Sequence, residues 1–242
     1  MRPSWLARTL VALAFLATFA LGVLAHRSGL FEQVAKYGAD IAFLSRQHMK
    51  LVAISGGLAI AVGVPLGLWL SRPSMRNMAE GVMQVLNLGS TIPTLAVIAL
   101  AMSLLGIGVV PAIFGLWVAS LLPIVRNTYA GMLGVPAYYI EAADGMGMRP
   151  RQVLAQVELP NALFVMFAGI RTALAINVGT APLAFLIGGG GLGELIFTGI
   201  DLNEPGMMLA GAIPTALLAV LVDFLVGAVS FWVVPRGVNP LR

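Results

Sequence analysis

Six stretches of this chain, residues 6–25, 49–70, 83–105, 110–133, 162–187 and 208–234, carry at most one charged side chain each. Crossing the hydrocarbon of a bilayer takes about 20 apolar residues wound as a helix. In that medium every backbone N–H and C=O must find its partner within the protein, so runs of this length admit few folds besides helices. A soluble alternative fails on composition: of 242 residues, 59% are hydrophobic and 10% charged, against roughly a quarter charged in soluble domains. The predicted fold class is all-α, a polytopic membrane protein of about six transmembrane helices. The third run contains GSTIP, residues 89–93, which is expected to break or kink its helix. Such a break is tolerable in lipid only where protein or a water-filled cavity takes up the freed backbone groups.

Several activities are poorly served by what remains. The chain has no cysteine, hence no disulfide, thiolate nucleophile or Cys-ligated metal. Its two histidines, His26 and His48, both fall in the first loop, and neither HExxH nor GxSxG occurs. No catalytic residue and no metal site are therefore assigned. The two lysines, Lys36 and Lys50, follow no Walker glycine loop, so there is no P-loop for nucleotide. The net charge of +4 is scattered rather than blocked, which argues for membrane topology and against nucleic acid as a partner.

Arg2 and Arg8 flank the first apolar run, which is expected to stay as an anchor; VLA before His26 also suits a cleaved signal. With the N-terminus inside, the inner segments hold Arg2, Arg8, Arg72, Arg76, Arg126, Arg149, Arg151, Arg236 and Arg242. The outer loops hold Arg27, Lys36, Arg46 and Lys50, all in the first. The bias puts both termini in the cytoplasm. The stretch LFEQVAKYGADIAFLSRQ in that first loop fits an amphipathic helix at the interface, and equally a solvated loop. There is no internal repeat.

The segment EAADGMGMRPRQVLAQVELP, residues 141–160, interrupts this oil with polarity. Pro136 suits a helix start, Gly145 and Gly147 a stop, and Pro150 a second start; the second helix is expected to end before Pro160. The result is two short helices meeting at a glycine bend on the cytoplasmic side, with Ala142 and Ala143 allowing close approach by another surface. Taken as bare physics, a loop lying on the lipid headgroups fits as well.

Two charges lie within the apolar runs. Arg171 and Asp223 sit on the order of 15 Å deep at about 1.5 Å per residue. Both are expected to face inward and to pair as structural glue, with direct contact to a solute as the alternative, because a lone charge facing hydrocarbon is costly. Thr91, Pro93, Asn177 and Thr180 are candidates for lining a path, with interhelical hydrogen bonding or kinking as the alternative. GGGGLG, residues 188–193, formally contains GxGxxG but ends a membrane run rather than a strand. Gly190, Gly191 and Gly193 are instead read as part of an outer gate or re-entrant turn. Glu194, Asp201 and Glu204 follow on that side and suit either contact with another protein or plain solvation. Gly63 and Gly67 are spaced for close helix approach, either inside one subunit or between two.

The spacing EAA, three residues, G, nine residues, then I-x-L-P resembles the loop motif of binding-protein-dependent ABC importer permeases. It falls here on Glu141, Ala142, Ala143, Gly147, Val157, Leu159 and Pro160, with Val157 in place of the usual Ile. STIPTLAVIAL, LLPIVRNTYAGM, FAGIRTALAINVGTA, GGGGLGELIFTGI and LAGAIPTALLAVLVD resemble the glycine betaine, choline and carnitine branch of osmoprotectant permeases. APLA at 181–184 departs from the ATLA of relatives, and Pro182 is expected to bend the fifth span differently.

The resemblance implies a type I importer fold and a coupling loop over 134–160, within a permease domain over 49–234. Residues 1–48 would then form an anchor and outer loop, and 235–242 a cytoplasmic tail. It further implies separate ATPase subunits that bind ATP and Mg, an extracytoplasmic solute-binding protein and a second permease subunit, the same or a related chain. The chain itself would carry no cofactor and would reside among lipids of the bacterial inner membrane. A permease for methionine or another small polar solute, or a secondary transporter, is the alternative.

Overall fold

The structure, a computed structural model, describes Gly22 and residues 29–239. The first apolar run, apart from Gly22, lies outside the described residues, as do Arg2, Arg8, His26, Arg27 and Arg242. From Leu30 onward the chain is helical: α1 Leu30–Ala35, α2 Gly38–Leu70, α3 Arg76–Thr91, α4 Thr94–Leu105 and α5 Val109–Leu133 come first. They are followed by α6 Ala137–Gly145, α7 Pro150–Val153, α8 Leu159–Thr180, α9 Gly193–Asp201 and α10 Pro205–Val233. Among the described residues α2, α5, the rod Pro150–Ile187 and α10 are long and apolar enough to cross a membrane.

The third run is broken, and it begins at Arg76, earlier than its apolar stretch. Helices α3 and α4 meet at 97°. Ile92 is extended (φ −75, ψ 124), as a residue before proline prefers, and Pro93 caps the start of α4.

Two expected boundaries are corrected. The helix of the second run starts at Gly38 rather than 49, so residues 38–47 are a helical extension of it and not a loop. This extension is helical because Ile41 and Leu44 pack against Leu192, Leu195 and Ala210 of the α9–α10 corner. Its 33 residues make a rod of about 50 Å, longer than hydrocarbon is thick.

The second correction concerns Pro160, where the helix does not stop. A π-helical turn, Leu154–Glu158, joins α7 to α8, and the Leu159 amide bonds five residues back to Leu154 O. The wider turn accommodates a proline that has no N–H and whose ring would crowd the carbonyl four residues earlier. Asn161 Nδ2 then donates to Val157 O at 2.7 Å. Pro182 acts near the other end of the rod, where Ala181–Ile187 tightens into a 3₁₀ helix.

Cross-links define two ends of the bundle. At one, Gly108 N–H donates to Ile187 O at 2.8 Å and Gly191 N–H to Gln47 Oε1 at 3.1 Å. At the other, Arg72 Nη1 donates to Glu158 Oε2 at 2.8 Å. Next to the first end the core holds Leu51, Val52, Ile98, Leu116 and Val178 with Ile187 itself, and between the ends lie Ala59, Ile124 and Ala173. Small residues let the helices close in. A Cβ at Gly63 would stand 2.9 Å from Ile124 Cγ2, and one at Gly67 would stand 2.9 Å from the Val125 carbonyl. This glycine pair therefore seats α2 on α5 within one subunit. Outward, α4 and α10 expose Leu100, Leu104, Leu217, Val220 and Phe224, as lipid-facing surfaces do.

Gly67→Ala is expected to lower stability by about 1–3 kcal/mol, the usual range for overpacking. Gly57→Ala, where an added Cβ meets nothing within 4 Å, should stay within about 0.5 kcal/mol. Thermal unfolding of the purified chain in detergent checks the pair, and equal losses would refute the close-approach account.

Candidate functional site

The polar segment 136–160 forms a knuckle at the Arg72–Glu158 end. Pro136 is extended (φ −60, ψ 132) and launches α6. The helix closes with a Schellman arrangement: Met148 N–H bonds back to Ala143 O at 3.1 Å, and Gly147 N–H to Asp144 O at 2.9 Å. Gly147 takes φ +75 there, a left-handed conformation, while nothing lies within 4 Å of where its Cβ would be. The demand on this glycine is conformational rather than steric. Beyond it, Arg149 N–H donates to Gln152 Oε1 at 2.8 Å, and Pro150 opens α7.

Of the motif residues, Glu141 and Ala142 face solvent. Ala143 does not; it is 1% exposed and turned into the subunit. Its small side chain serves packing beneath the knuckle, not approach by another surface as the sequence suggests. Leu159 packs with Ile140 and Leu154 on Met132, Val135, Ala162 and Met166. Val157 and Pro160 are half-buried at the junction with α8. Glu158, which sequence reasoning passed over, is 12% exposed and holds Arg72 at the end of α2. The knuckle is thus fastened to α2 and α5 and continuous with α8. Tyr138, Tyr139 and Met146 stand exposed on its outer side, an apolar surface that sequence reasoning also missed.

The second set of residues lies at membrane depth. Arg171 Nε donates to Asp223 Oδ1 at 2.9 Å and Nη2 to Oδ2 at 2.5 Å, a two-pronged pair between α8 and α10. The side chains are 40% and 41% exposed, so the pair stands on an open face of the subunit rather than in its core. A cavity of about 430 Å³ adjoins it, lined by Ala168, Thr172, Ala175 and Ile176. Ile176 also lines a cavity of about 190 Å³ at the α3–α4 break, with Gly89, Ser90, Ile92 and Thr94. Thr91 and Pro93 are exposed at that break, the Thr91 hydroxyl bonding back to Leu88 O at 2.7 Å. Thr180 Oγ1 likewise bonds back to Ile176 O at 2.9 Å.

Asn177 belongs to neither cavity. It is fully buried, and Nδ2 donates to Ser55 Oγ at 2.9 Å and to Ser120 Oγ at 2.8 Å. Its amide pins α2, α5 and α8 together, so the path assignment is corrected to interhelical hydrogen bonding. The glycine run makes a tight turn into α9. Gly191 lies against His48 and Gly193 against the Pro182 carbonyl. Gly190 lines a third cavity, about 310 Å³, with Gln47, Lys50 and Val109. Glu194, Asp201 and Glu204 are exposed on the same end.

The helical bundle, with one span broken at 97° and a polar knuckle running into the next, has the fold of ABC importer permeases. Solved structures agree on the fold. The inward-facing MetNI methionine ABC transporter matches with a TM-score of 0.72 at 23% identity, covering 81% of this chain and 96% of that one. An amino acid ABC transporter solved with histidines matches at 0.66 and 15% identity, covering 81% and 95%. The chain belongs to the family described as binding-protein-dependent transport system inner membrane component, whose model matches residues 63–235. It is 54% identical over 217 residues to the osmoprotectant import permease protein OsmY of Salmonella typhimurium, covering 90% of this chain and 89% of the relative. It is 39% identical to the choline transport system permease protein OpuBB of Bacillus subtilis, covering 85% and 94%. It is 40% identical to the carnitine transport permease protein OpuCB of Listeria monocytogenes, covering 85% and 93%.

The left-handed turn gives a direct test. Gly147→Val should weaken the knuckle's closure by about 1–2 kcal/mol, whereas Gly147→Asn, which tolerates that conformation, should cost a fraction of it. Amide hydrogen exchange at Met148 should accelerate about tenfold in the valine variant, since about 1.4 kcal/mol is a factor of ten. Equal exchange in both variants would overturn the conformational account.

Proposed function

We propose that this chain is the membrane-spanning permease of an ATP-driven importer for osmoprotectants such as glycine betaine, choline or carnitine. The observation that carries the solute class is 54% identity across 90% of the chain to an osmoprotectant import permease. The likeness to a methionine transporter, at 23% identity, concerns the fold alone.

Energy comes from a separate ATPase that binds ATP and Mg and seats the knuckle. The exposed Glu141 and Ala142, with the apolar Tyr138, Tyr139 and Met146, form the docking surface. The rod Pro150–Ile187 is continuously helical across Pro160, so displacement of the knuckle becomes displacement of the membrane helix that bears Arg171 and Thr180. Alternating access by rigid-body motion needs only that ATPase closure favour one orientation of this rod. A second permease subunit, the same or a related chain, completes the path. An extracytoplasmic binding protein delivers solute to the opposite end, where the exposed Glu194, Asp201 and Glu204 stand. In this arrangement the knuckle and the tail at 235–242 are cytoplasmic, as are both termini, and the protein resides in the bacterial inner membrane.

Reconstitution in liposomes with the ATPase and binding protein tests the reading. Uptake of glycine betaine, choline or carnitine should require ATP and all components. Uptake of methionine alone, or uptake by this chain without an ATPase, would overturn it.

A further inference from the structure

The Arg171–Asp223 pair stands where a simple clamp between helices has no reason to stand. Arg171 lies twelve residues along α8 from Leu159, and Asp223 ten residues from the end of α10. At about 1.5 Å per residue each is roughly 15–18 Å from its helix end, deep in hydrocarbon. Charges at that depth face protein or water rather than lipid. Yet both remain about 40% exposed on the surface of the subunit. The ground beside them is kept low by Ala168, Thr172 and Ala175, and the adjoining cavity, about 430 Å³, accommodates a small solute. Gly227 lies one turn from Asp223; a Cβ there would meet the guanidinium carbon at 3.4 Å. Through Ile176 this cavity adjoins the one at the broken span. Ser90 lines that second cavity together with Ile176, and Thr91 beside it is exposed.

The pair has no net charge but a strong fixed dipole. Arg171 uses Nε and Nη2 on the carboxylate, and Nη1 has no hydrogen-bond partner among the described residues. Each Asp223 oxygen has a second lone-pair direction still open. A solute carboxylate fits against Nη1, and an onium group fits beside the free edge of Asp223. A molecule carrying both groups a few ångströms apart satisfies both ends at once. A bare cation gains Asp223 but is repelled by Arg171 at similar range, and the two effects largely cancel.

We propose that Arg171 and Asp223 form a solute-binding site within the membrane for small zwitterions that carry a carboxylate and an onium group. The proposal rests on the osmoprotectant-permease reading above and narrows its solute class. Discrimination against bare cations then occurs in the permease itself, in addition to any made by the binding protein.

The test uses the complete transporter, this chain with its ATPase and companion permease, in nanodiscs without binding protein. Equilibrium binding of radiolabelled glycine betaine and choline is measured. Wild type should bind glycine betaine at least tenfold more tightly than choline. In R171Q/D223N, which removes both charges, the two affinities should become equal within about twofold. The charge-retaining R171K/D223E should keep a preference for glycine betaine. No glycine betaine binding by wild type, equal or tighter choline binding, or a preference that survives in R171Q/D223N would each overturn the site. ATP-driven uptake by wild type with the binding protein, run in parallel, separates the two levels. Uptake without a wild-type binding preference removes only this site, whereas absence of uptake removes the permease reading beneath it.

Discussion

Pro160 has no amide hydrogen to give, and the helix passes through it nonetheless. The π-helical turn at Leu154–Glu158 makes this possible by widening the backbone just before the ring. With it, residues 150–187 form a single rod of 38 residues. The Asn161 side chain bonds the Val157 carbonyl at 2.7 Å, taking up backbone polarity at the joint. Arg72 and Glu158 brace the rod's base against α2 at 2.8 Å. On the proposed function, this continuity is what lets a soluble motor act on helices it does not touch.

Inside the bundle the forces differ from those of a soluble core. Lipid tails solvate leucine as well as other leucines do, so burial of apolar surface contributes little to helix association. Close contact and hydrogen bonds must contribute instead. Gly63 and Gly67 allow α2 to sit directly on α5. Asn177 adds a directional element, since its amide joins Ser55 and Ser120 in a dry interior. A buried amide of this kind strongly favours one register of three helices, because any slip leaves polar atoms unpaired.

Local chemistry was legible in the sequence, and so was the Arg171–Asp223 pair, because opposite charges at one membrane depth must find each other; other long-range contacts were not. The apolar runs announce membrane helices, Pro93 announces the break, and Gly147 announces the end of α6, each through a rule acting over a few residues. The extension of α2 back to Gly38 depends on a corner made by Leu192, Leu195 and Ala210, far along the chain. Asn177 looks like a path residue until Ser55 and Ser120, 122 and 57 positions away, are found against it. Ala143 belongs to a motif that suggests an outward role, yet the rotation of α6 turns it inward. Glu158 and Arg72 are 86 residues apart, and no local pattern pairs them. Pro160 misleads in the opposite way, because a reliable local rule is overridden by an irregular turn.

The surface of the subunit is itself divided. Helix α10 exposes Leu217, Val220, Leu221 and Phe224 along one side, a strip suited to lipid tails. Asp223, on a different side of the same helix, turns to Arg171 and the cavity along α8. An exposed ion pair at that depth is unstable against hydrocarbon, so the α8 face must be roofed by protein or filled with water. Among the described residues nothing roofs this area. The same sidedness that makes one flank of α10 suited to lipid therefore makes the α8 flank a surface for protein or water.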